Sequence, residues 1–145
     1  MGYTHYYEHP NKPLPTKQWD AFIKDVHKIF ATHADIICEE SDEPALRPIA
    51  DSDMVFFNGR ERDGHETFVF KREPAQVPWR KGQEDIFAFC KTARKPYDEV
   101  VVAVMSCMRH HFDRVKISSD GGPEAFPAYD DLVTRYNLDP TPIPA

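Results

Sequence analysis

Three cations, Lys91, Arg94 and Lys95, stand directly before Pro96, Tyr97 and Asp98 in a chain whose formal net charge is -6. Proline suits the first position of a helix and acidic residues suit its first turn, so Pro96 is expected to open a helix, with Asp98 and Glu99 following. A helix N-terminus offers unpaired N–H groups and a partial positive charge to an anion. Lys91, Arg94 and Lys95 add to that field, Thr92 supplies a hydroxyl, and Arg94 can hold a phosphate or carboxylate in its fork. Tyr97 and Asp98 complete this candidate corner. The competing reading is solvated loop charge, or pairing with the acidic run at residues 39–43. There is no Walker-type glycine pattern.

Further groups could take part. In "SSDGG", residues 118–122, Ser118, Ser119 and the glycine amides form a second polar rim at a strand end. Asp120 is a candidate general base there, or an Asx-turn residue satisfying its own loop. Glu66 follows His65 at the start of a strand, where the two side chains point to opposite faces and form no local dyad. It reads as an ion-pair partner of Lys91 or Lys95, or as a general acid if buried. Cys90 beside Lys91 is a nucleophile only if its pKa is depressed, and an inert buried thiol otherwise. Tyr3, Tyr6 and Tyr7 could stack on a base or ribose, with core packing as their default. No metal motif is present, because HExxH is missing and His110 and His111 diverge by about 100° on a helix. No cofactor is expected.

Composition sets the frame for these groups. A length of 145 residues suits one domain, expected over 1–138 with a loose tail at 139–145. Apolar residues make up 41% and aromatics 12%, which is enough to fold. The balance of 24 Asp and Glu against 18 Lys and Arg argues against a broad nucleic-acid surface. Cys38, Cys90 and Cys107 are odd in number and far apart, so free thiols in a reducing compartment are expected. No apolar run reaches membrane length and no signal-peptide core is evident, so a cytoplasmic location without a membrane partner is the expectation.

The elements that must position these groups follow from patterning. "GYTHYYEH" alternates as a strand, with Tyr3, His5 and Tyr7 on one side. Thr16 is placed to cap a helix carrying Trp19, Phe22, Ile23, Val26, Ile29, Phe30 and His33. "ADIIC" is a brief strand, and Glu39 to Ala50 an exposed loop. Asn58-Gly59 and Asp63-Gly64, pairs that tolerate positive φ, lie between two apolar runs and predict a hairpin. "IFAFC" leads as a strand into the cationic corner. The next helix is expected to be amphipathic, with Tyr97, Val100, Val101, Val104, Met105, Met108 and Phe112 on one face. A strand at "RVKISS" and a last helix near Tyr129, Leu132, Val133 and Tyr136 complete an α+β fold, an antiparallel or mixed sheet covered by about three helices.

Taken in order, "MGYTHY", "FNG", "ETF", "CKTARKPYD" and "SDG" resemble the motifs of a family of small uncharacterised bacterial and phage proteins, over nearly the whole chain. The resemblance implies that Tyr3, His5, Asn58, Glu66, Lys91, Thr92, Lys95, Tyr97, Asp98 and Asp120 lie in shared motifs, and it carries no mechanism. Three functions are expected to compete. The first is binding of a small phosphorylated or nucleotide-like anion at the corner, as in a phage or mobile-element counter-defence accessory. The second is a small hydrolase or transferase using Glu66 or Asp120 with Lys91 or Lys95. The third is inhibition of a host defence protein through the acidic loop.

Overall fold

Alternate residues of the opening segment turn inward: Tyr3, His5 and Tyr7 are buried while Tyr6 and Glu8 are half-buried. That period of two makes β1, Thr4–Pro10. The computed structural model describes residues 2–140, and the rest of the expected tail, 141–145, lies outside the described residues. After β1 come α1 (Thr16–Thr32), β2 (Ile37–Cys38), β3 (Ile49–Ala50), β4 (Met54–Gly59), β5 (Phe68–Lys71), β6 (Asp85–Lys91), α2 (Asp98–His111), β7 (Lys116–Ser119) and α3 (Tyr129–Tyr136). The fold is α+β, with antiparallel pairing throughout.

Two sheets share the core. One has the order β6-β1-β7, with His5 opposite both Cys90 and Ser119. In the other, β4 is paired by β5 and also by the short β2 and β3. Tyr7 joins them, because its ring packs on Phe68 and Phe70 and its hydroxyl donates to the Val69 carbonyl. Trp19, Phe22, Val26 and Ile29 of α1 are buried in the same cluster, at the spacing of a helix with one apolar stripe.

Several local expectations are corrected. Pro15, not Thr16, holds the N-cap of α1, and no side chain caps it. The segment read as an exposed loop contains β3, because Ile49 and Ala50 pair with Phe56 and Val55. α2 begins at Asp98 rather than Pro96, after a tight turn in which Ala93 and Arg94 have φ of 52° and 57°. It is also buried on all sides from Val100 to Met108, so it is a central helix and not an amphipathic one. In the β4–β5 connection the glycines serve close approach and not positive φ. A Cβ on Gly59 would collide with the Asp63 carbonyl, and one on Gly64 with the Gly59 carbonyl, while φ is positive at Glu61 instead.

Candidate functional site

Antiparallel register brings the ends of β1, β6 and β7 together, and with them residues more than ninety positions apart in sequence. His5 is fully buried. Its Nδ1 lies 2.8 Å from Ser119 Oγ and its Nε2 lies 2.6 Å from Asp98 Oδ1. Thr92, also fully buried, donates its hydroxyl to the same Asp98 oxygen at 2.5 Å, and the Gly121 N–H donates to Ser119 Oγ at 3.0 Å. One assignment of protons satisfies every group: Nε2–H donates to Asp98, and the Ser119 hydroxyl donates to Nδ1. Burial by itself would raise the Asp98 pKa, but the hydrogen bonds from His5 and Thr92, helped by the charge of Arg94, hold it below the ordinary carboxylate value.

Aromatic rings and cations surround this row. Tyr3 meets His5 edge-on at 5.0 Å, and the Arg94 guanidinium carbon lies 3.8 Å from the Tyr3 ring centroid. Gly121 is needed for the fit, since a Cβ there would strike the Tyr3 hydroxyl. Lys91 is exposed, with Nζ 5.9 Å from the centroid of Phe89, and Phe89 in turn neighbours Phe87. Phe87 and Phe89 are 59% and 49% exposed, an unusual position for two phenylalanines on one strand, and Phe87 stacks on Tyr6. None of the ion pairs among the described residues includes Lys91, Arg94 or Lys95. The acidic residues 39–43 therefore do not neutralise them.

The remaining predicted residues are placed as follows. Asp120 accepts hydrogen bonds from the Tyr6 hydroxyl at 2.8 Å and from the Thr4 N–H at 3.1 Å, fixing β7 to β1. Glu66 accepts from the backbone N–H of Lys91 at 2.7 Å, in place of the expected pairing with its ammonium. Tyr97 is fully buried and donates to the Glu66 carbonyl at 2.6 Å. Asn58 lies elsewhere, donating to the His65 carbonyl and Thr67 hydroxyl and accepting from the N–H groups of Gly59 and His65. The start of α2 is not an open set of amides, because the N–H groups of Asp98, Val100 and Val101 bond to the carbonyls of Lys95 and Tyr97. Lys91, Arg94 and Lys95, and not the helix end, therefore carry the positive charge of this corner. Burial pushes the Cys90 thiol up to about 12, so it is held as a thiol. Among the described residues no group of three His, Cys, Asp or Glu side chains is placed to hold a metal ion, and no helix is long and apolar enough to cross a membrane.

A second polar cluster was not anticipated. Asp25 of α1, buried, accepts at one oxygen from His111 Nε2 and from the Tyr129 hydroxyl, each at 2.6 Å. His110 stacks flat on Tyr129, with ring centroids 3.5 Å apart. The signal was the position of Asp25 itself, three residues after Phe22 and four before Ile29, on the stripe that α1 buries. No family model, no curated protein and no solved structure matches the chain.

Proposed function

We propose that the chain binds a small phosphorylated, nucleotide-like molecule at the end of the β6-β1-β7 sheet. The observation that carries this reading is the presence, in an acidic chain, of three cations outside the ion pairs of the described residues, next to exposed aromatic rings. Lys91, Arg94 and Lys95 would meet the phosphates, and Phe89 and Phe87 would offer a stacking face to a base. A role as a phage or mobile-element counter-defence factor would then consist of sequestering such a molecule. Melting of the protein with ADP, pyrophosphate and adenosine tests the reading. Ligand at about 100 times its Kd stabilises the folded state by about 2.7 kcal/mol. ADP is expected to raise the melting temperature, the Lys91→Ala/Arg94→Ala variant to lose the effect, and Phe89→Ala to reduce ADP binding while sparing pyrophosphate. Unchanged melting with all three compounds overturns the proposal.

A hydrolytic reading of the same corner is favoured by the continuous row Ser119, His5, Asp98. The expected bases, Glu66 and Asp120, are held in backbone and tyrosine hydrogen bonds, so this version moves their role to His5. His5 Nδ1 would take the proton of Ser119 Oγ as that oxygen bonded to an acyl or phosphoryl centre, and would give it to the leaving alcohol or amine as its bond to that centre broke, with Asp98 holding the ring; water would then release the serine by the reverse path. Exposure to phenylmethylsulfonyl fluoride followed by intact mass and peptide mapping decides it. A Ser119 adduct that His5→Gln abolishes supports the reading, and an unmodified Ser119 sets it aside.

A further inference from the structure

The Asp25 cluster adjoins a cavity of about 350 Å³, within the usual range for small-molecule sites. Its wall is made by the segment between β1 and α1, including Lys12, Pro13 and Leu14, and by the end of α2 with the residues that follow it, from His110 to Arg114. His111 is part of that wall, and its side chain is only 4% exposed. Asp25 and Tyr129 fix one edge of its ring: the shared carboxylate oxygen accepts from Nε2–H and from the tyrosine hydroxyl. The other edge is unanswered, because His111 Nδ1 is buried and has no hydrogen-bond partner. A buried polar atom left in this state is destabilising, so a polar group of a ligand is its natural complement.

The chemistry of that group can be read from the wall. Leu14, Pro13 and Phe112 supply an apolar bed, while Lys12 and Arg114 bring positive charge, Arg114 being shared with Asp85 at 3.2 Å and Asp113 being the acidic member. We propose that this cavity is a second ligand site, separate from the cationic corner, that takes a small carboxylic acid with an apolar body, its acidic proton shared between the carboxyl oxygen and His111 Nδ1 near Lys12.

The test is a titration of the full chain with benzoate and octanoate, and with benzyl alcohol as the uncharged comparison, followed through the 15N resonances of the histidine rings. Saturable movement of His111 Nδ1 by the carboxylates, with His5 unmoved and benzyl alcohol about tenfold weaker, is expected. Lys12→Ala, on an exposed residue whose loss leaves folding intact, should weaken benzoate about three- to tenfold, and His111→Gln should remove binding. No movement of His111 at carboxylate concentrations up to about 10 mM overturns the site. Equal binding of benzyl alcohol overturns the acid as its ligand class.

Discussion

His5 and His111 are each held through Nε2 by an aspartate oxygen 2.6 Å away, and the two arrangements differ in what the second nitrogen meets. At His5 it finds Ser119, and the row is closed at both ends by Thr92 and the Gly121 N–H. At His111 it has no hydrogen-bond partner. The aspartates differ as well: the Asp98 side chain is 24% exposed and the Asp25 side chain 4%. The same pair of residue types thus serves as a strut in one region and as an incomplete receptor in the other. What separates them is the number of partners that neighbouring strands and helices deliver.

The largest expected effect is at Asp25. Its replacement by alanine strands the His111 Nε2–H and the Tyr129 hydroxyl, and each lost partner costs about 1–3 kcal/mol. Asp98→Ala, where water can reach the site, should cost less, about 1–3 kcal/mol. Urea denaturation of both variants checks the order, and a larger loss for Asp98→Ala would break the contrast. Acid sharpens it further. Because the folded-state pKa of Asp98 is depressed, the stability it contributes is fully present above the unfolded value and is lost as pH falls through the folded one. The difference between wild type and Asp98→Asn should therefore hold from neutral pH down to about 4.5 and shrink below it. A difference that disappears near neutrality would contradict the hydrogen-bond origin of the shift.

Smaller effects test the periphery of the corner. Thr92→Val removes one hydroxyl from Asp98 and should cost about 1 kcal/mol. Lys91→Ala should change stability by no more than about 0.5 kcal/mol, since its ammonium is exposed and outside the ion pairs. A destabilisation by Lys91→Ala comparable to that of Thr92→Val would show that the lysine is structural and weaken the binding proposal.

Period-two alternation made β1 legible, and the apolar stripe from Trp19 to Phe30 made α1 legible, because each pattern reflects burial on one side. α2 misled for the complementary reason. Its spacing of Tyr97, Val100, Val101, Val104, Met105, Met108 and Phe112 reads as one apolar face, whereas Val102, Ala103, Ser106 and Cys107 are buried on the face expected to meet solvent. At the candidate site Asp98 and Ser119 could be named from local chemistry and His5 from the motif resemblance, but their union depends on pairing between segments more than ninety residues apart, which local patterns do not encode. Asp25 was passed over because a carboxylate on an apolar stripe has meaning only once His111 and Tyr129 arrive from other helices.

The three cysteines carry a practical consequence. Cys38, Cys90 and Cys107 are all buried, in β2, β6 and α2, and burial raises all three thiols above their ordinary pKa. Nucleophilic attack needs the thiolate, so an alkylating reagent can act on these sulfurs only during excursions that bring them to solvent. The chain thus contains three internal clocks for local opening, one in each sheet and one in the central helix, readable by pulsed alkylation without any introduced label.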